Sequence, residues 1–92
     1  MAVGIRVKLP GINQEQYDKV DKVIGRAPPK GMIFHASGPI DEGFGVIDFW
    51  ESREDFDAFF GSTVQAAVAE AGVEMQGAPD IKEFPVHEYI KA

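Results

Sequence analysis

From Phe44 to Trp50 the chain reads FGVIDFW. Alternate side chains of an extended strand point to opposite faces, so Phe44, Val46 and Trp50 fall on one side and Ile47 and Phe49 on the other. Both sides are apolar. A sheet with helices on only one face normally carries polar residues on the open one. A strand of this kind therefore needs cover twice: by helices of its own chain, and by a second copy or a ligand on the far side.

The rest of the chain supplies the helices. VGIRVKL alternates Val3, Ile5, Val7 and Leu9 with Gly4, Arg6 and Lys8, the pattern of an amphipathic strand that Pro10 and Gly11 stop. Asn13 and Gln16 have capping-box spacing. Tyr17, Val20, Val23 and Ile24 then recur at helical intervals, with Gln14, Glu15, Asp18, Asp21 and Lys22 on the outer face. GRAPPKG reads as a loop, and the spacing predicts a hairpin over roughly 32–37 and 44–50 joined by GPIDEG. Ser52, with Asp55 three residues on, predicts the cap of a second helix, whose apolar set Phe56, Phe59, Phe60, Val64, Ala67, Val68 and Ala71 keeps the helical rhythm. Gly61, followed by Ser62 and Gln65 as a fresh cap, predicts a kink or break there. Gly72 ends that helix, and DIKEFPVHEYIKA reads as a last strand, placed at a sheet edge by Pro85. The order is βαββαβ, the split pattern of ferredoxin-like α+β folds, with both helices on one face of a four-stranded antiparallel sheet.

Ninety-two residues make one domain, 1–92, without internal repeats. A chain this short buries only about two-thirds of its unfolded surface, which favours self-association into a homodimer. A net charge of −6 disfavours neutralising a nucleic-acid backbone. The absence of cysteine removes disulfides and thiolate chemistry and fits a reducing compartment. No signal peptide or membrane span is read, so the expected location is the cytoplasm. Phosphate-binding loops, metal-spaced clusters and nucleophile elbows are not found, and neither metal nor cofactor is expected.

Two resemblances bear on function. Residues 42–49, EGFGVIDF, are similar to the third-strand run of the RNA-recognition motif. The pattern departs from it at Glu42, where a cation is expected, and at Val46, where a second stacking aromatic is expected, so a nucleic-acid partner is not expected. VIDFWESREDFDAFFGSTVQAAVAEAG, residues 46–72, resembles the strand-to-helix segment of the antibiotic-biosynthesis-monooxygenase-like branch of the dimeric α+β barrels, and the closing FPVHEYIKA resembles its last strand. That resemblance implies two protomers packed sheet to sheet, each with a pocket between sheet and helices. The branch includes cofactor-independent oxygenases of polyketide aromatics and haem-degrading enzymes. Trp50 matches a tryptophan of the haem-degrading members. Their first-strand asparagine is missing, and Ser62–Gly72 holds no histidine for haem, Ala69 lying near the expected position.

His35 and His87 are the only imidazoles, and either has the acidity for general-base work near neutral pH. His35 stands beside a strand bearing Asp48, an acid among apolar neighbours that needs a partner. His35 is one candidate partner, if the hairpin register puts both on one face; Arg6, on the neighbouring first strand, is another. The expected catalytic set is His35, Asp48 and Arg6, with Trp50, Phe34, Phe56, Phe60 and His87 around a small apolar or aromatic ligand. One functional reading is a cofactor-independent monooxygenase, or a cyclase or isomerase, of an aromatic or polyketide-like molecule. The other is a non-catalytic ligand-binding or dimerisation protein in which the same residues are structural.

Overall fold

The computed structural model describes residues 2–25 and 27–92. Along the chain come β1 (Val3–Pro10), α1 (Gln14–Ile24), β2 (Met32–Ile40), β3 (Gly43–Trp50), α2 (Arg53–Ala58), a π-helical segment (Phe59–Val64), α3 (Gln65–Ala71) and β4 (Asp80–Pro85). The strands form one antiparallel sheet in the order β2-β3-β1-β4, and the fold is the expected ferredoxin-like α+β arrangement. The expected loop between Gly25 and Gly31 includes Arg26, which lies outside the described residues.

The helix starts follow the sequence closely. Asn13 Oδ1 accepts from the Gln16 N–H at 2.8 Å, and the Gln16 side chain accepts from the Asn13 N–H at 3.0 Å, so two donors of the first turn are satisfied reciprocally. Ser52 Oγ accepts from the Asp55 N–H at 3.1 Å. Gly72 closes α3 in the left-handed conformation, where a side chain would be strained.

Three expectations change. The second helix is interrupted around Gly61 as expected, but by the π-helical segment rather than by a fresh cap, and Ser62 caps nothing: its hydroxyl donates to the Ala58 carbonyl at 2.6 Å. The Gln65 amide reaches the Phe60 carbonyl at 3.4 Å. Both side chains thus serve carbonyls displaced where one extra residue enters the helical ladder. The hairpin turn is Asp41–Glu42 alone, because Gly38, Pro39 and Ile40 pair with Gly45, Phe44 and Gly43. Pro39 is tolerated there since β2 is an edge strand. Finally, β4 is at the edge as expected but stops at Pro85, and residues 86–92 leave the sheet after one further bond from the Val86 N–H to the Ala2 carbonyl.

The core lies between sheet and helices. Ile5, Val7, Val46, Trp50 and Phe56 are buried together, with Tyr17, Phe59 and Phe60 packed around them. Trp50 is fully enclosed, its indole edge-on to Phe56 at 5.8 Å and tilted against Phe59 at 5.5 Å. An ion-paired cluster ties α2 to the edge strand: Arg53 bridges Asp57 at 2.7 Å and Glu83. The opposite face of the sheet carries an aromatic cluster in which Phe49 meets Phe34 at 5.9 Å, Phe84 at 6.5 Å and Tyr89 at 6.0 Å. Ile47 beside them is 51% exposed and Phe84 50%. Gly4 leaves room for this packing, since a Cβ there would collide with the Phe84 ring.

Candidate functional site

The two-residue turn decides which side chains can meet. It places Ile40 opposite Gly43 and, five residues further along each strand, His35 opposite Asp48. Asp48 is in phase with Val46 and Trp50, all buried on the helix face, so His35 also turns toward the helices. A bulge at Ile33 then lets Met32 pair with Trp50 on that same face.

Asp48 is 4% exposed and both of its oxygens are engaged. Oδ1 lies 2.6 Å from His35 Nδ1, and Oδ2 accepts from the Trp50 indole N–H at 3.2 Å. The other imidazole nitrogen, Nε2, lies 3.0 Å from the Tyr17 hydroxyl on α1. A carboxylate at Nδ1 keeps the proton on that nitrogen, so in the neutral ring Nε2 is the acceptor. The hydrogen bond from Asp48 and its negative charge raise the His35 pKa against the lowering effect of burial, with Asp21 adding to the rise. Burial pushes the Tyr17 phenol up, and the charges of Asp21, Asp48 and Asp18 push the same way, while a hydrogen bond with Ser37 works against them.

His35, Asp48 and Tyr17 open onto a cavity of about 270 Å³ between the sheet and the helices. Its walls are largely apolar: Val7, Leu9 and Val46 from the sheet, Phe56, Phe59 and Phe60 from the second helical region, and Val20 and Ile24 from α1. No residue of α1 is fully buried, consistent with a helix that stands off the sheet over this space. Among the described lining residues there is no lysine or arginine, and the remaining polar side chains are Asp21 and Gln65.

Of the residues expected from sequence, the fold brings His35, Asp48, Phe56 and Phe60 to this cavity. Trp50 is beneath it, holding Asp48 rather than facing a ligand. The expected Arg6–Asp48 pair is not formed. β1 and β3 are neighbours, but Arg6 pairs across to Ile47, and Ile5 to Asp48, so Arg6 emerges on the far face and bridges Asp80 at 3.6 Å. Phe34, 46% exposed, is on that far face for the same reason of phase. His87 follows the end of β4, exposed and away from the cavity. Phe44, the aromatic of the RNA-motif-like run, is buried against Tyr17 at 4.4 Å rather than presented on the open face. Sequence reasoning missed Tyr17 and Asp21 as site residues. Tyr17 was legible only as the one hydroxyl on the apolar stripe of α1, and Asp21 as a polar residue on its outer face.

Among the described residues there is no cluster of three or more histidine, aspartate or glutamate side chains that could hold a metal, and no helix long and apolar enough to cross a membrane. His35 is the one imidazole among the described residues that line the cavity, and both its nitrogens are engaged within the chain.

Fold and cavity together define a small ferredoxin-like α+β protein with an apolar chamber between its sheet and its helices. No protein-family model matches the chain, and no curated protein does. Solved structures match it along nearly its whole length. A candidate antibiotic biosynthesis monooxygenase from Caulobacter crescentus CB15 is 22% identical, with a TM-score of 0.67, over 95% of this chain and 91% of that one. A dimeric ferredoxin-like protein of unknown function from Thermobifida fusca YX is 14% identical, with a TM-score of 0.63, over 94% and 92%. A variant of MhuD, solved with two manganese protoporphyrin IX molecules per active site, is 20% identical, with a TM-score of 0.66, over 100% of each chain. At these identities the likeness is one of fold.

Proposed function

We propose that the protein is a cofactor-independent enzyme that removes a proton from a small, uncharged, aromatic or polyketide-like molecule held in the cavity, with His35 as general base and Asp48 orienting it. The observation that carries this reading is the 2.6 Å contact of His35 Nδ1 with a buried carboxylate, at the wall of an otherwise apolar chamber. A carboxylate there fixes the imidazole's tautomer and stabilises the imidazolium that forms when a proton arrives. Trp50 acts one step back, by holding the second oxygen of Asp48. The apolar walls suit a ring of modest size, since an apolar cavity of roughly 150 Å³ takes a benzene. The carboxylates of Asp21 and Asp48 on the cavity wall disfavour ligands that enter as anions.

Oxygenation of the resulting carbanion or phenolate is one outcome, and cyclisation or isomerisation another. The reading includes a homodimer packed through the aromatic face of the sheet and a cytoplasmic location, which a cysteine-free chain suits. The test is a titration of both histidines by NMR with and without 2-naphthol. A naphthol-linked shift at His35 and none at His87 supports the site; no shift at His35 leaves a non-catalytic role for these residues.

A further inference from the structure

His35 is not free to meet a ligand directly. Its Nδ1 faces Asp48 and its Nε2 faces the Tyr17 hydroxyl at 3.0 Å, so the outermost polar atom of the chain Trp50–Asp48–His35–Tyr17 is the phenol oxygen. The Tyr17 ring is clamped by stacking on buried Phe44 at 4.4 Å and an interplanar angle of 23°. It is therefore a rigid arm, not a passing side chain. We propose that Tyr17 is the catalytic residue that touches the substrate, relaying the proton to His35 and then donating a hydrogen bond to the anion left behind, and that the substrate is a neutral phenol or enol.

The step balances without any outside reactant. The substrate O–H breaks as its proton bonds to the Tyr17 oxygen. At the same time the original Tyr17 O–H breaks and that proton bonds to His35 Nε2. The products are a substrate oxyanion, a neutral tyrosine and an imidazolium paired with Asp48. Tyr17 never becomes tyrosinate, which agrees with a phenol held in its protonated form by burial and by Asp18 and Asp21 on α1 and Asp48 on β3. Once His35 carries the second proton, Nε2–H donates to the Tyr17 oxygen and the tyrosine hydrogen is released toward the cavity. The same hydroxyl thus serves first as acceptor and then as oxyanion donor. Ser37 on β2 also acts on that hydroxyl.

This inference rests on His35 being the base, and the experiment separates the two. The probe is 4-nitrophenol, whose anion absorbs in the visible and whose free pKa is near neutral. The measurement is the ratio of bound anion to bound phenol as pH is varied, in the wild type, Tyr17→Phe and His35→Gln. The expected result is that both variants lower that ratio about tenfold, while His35 in Tyr17→Phe keeps the NMR signature of its bond to Asp48. Fluorotyrosine in place of tyrosine, a stronger donor of nearly the same shape, should raise the ratio and covers the case in which Tyr17→Phe folds poorly. A ratio unchanged in Tyr17→Phe and in the fluorotyrosine protein, but lowered in His35→Gln, overturns the role of Tyr17 and leaves the base intact. A ratio that ignores His35→Gln, or no saturable binding by the wild type, overturns both.

Discussion

His35 and Trp50 are tied together through a shared partner: one carboxylate, Asp48, gives one oxygen to the imidazole at 2.6 Å and the other to the indole at 3.2 Å. Trp50 is enclosed and rigid, Asp48 is held by it, and His35, at the cavity edge, inherits that rigidity. The arrangement makes the imidazole an extension of the core.

Asp48→Asn should lower the His35 pKa, because the hydrogen bond to the carboxylate is the largest influence raising it and the charge adds to it. The same linkage sets the pH dependence of stability. A histidine whose pKa is raised on folding contributes stability that is fully present below its unfolded value, about 6.5, and is lost as pH rises through the folded value. The stability advantage of the wild type over His35→Gln should therefore be larger at about pH 5.5 than at about pH 9. Denaturant titrations of both proteins across that range measure it, and a constant difference would count against the ion pair.

Trp50→Phe keeps most of the buried ring but removes the donor to Asp48 Oδ2. A buried carboxylate oxygen left without a partner should cost about 1–3 kcal/mol, more than the small loss of aromatic area. Urea unfolding gives the number. His35 should also show broadened or shifted NMR signals, since its partner is no longer held from behind.

Ile47→Asp or Phe49→Asp places a charge in the centre of the aromatic face without touching the cavity side of β3. Sedimentation at micromolar concentration should find a dimer for the wild type and a folded monomer for either variant. Far-UV circular dichroism should remain that of the wild type. A wild type that sediments as a single subunit of 10.1 kDa would remove the sheet-to-sheet partner.

Gly61, within the π-helical segment, has open space around the position a Cβ would take and no positive φ. Gly61→Ala should stabilise the protein by up to about 1 kcal/mol by reducing the freedom of the unfolded chain. A melting-temperature rise with the cavity's naphthol affinity unchanged is the expected result. A fall would mean that the π-helical segment depends on the glycine.

The periodicities of the chain determined the order of elements, the helix caps at Asn13 and Ser52, the edge position of β4 and the two-faced greasiness of β3, because each is a short-range consequence of neighbouring residues. They also pointed to His35 and Asp48. What they could not decide was phase between strands: which face Arg6 shares, whether Phe34 looks inward, and how many residues form the hairpin turn. One residue of slippage exchanges the two faces of a strand, and only the tertiary pairing fixes it. Tyr17 is the clearest case, since eighteen residues of sequence separate it from His35 and only the packing of α1 over the sheet brings its hydroxyl within 3.0 Å of the ring.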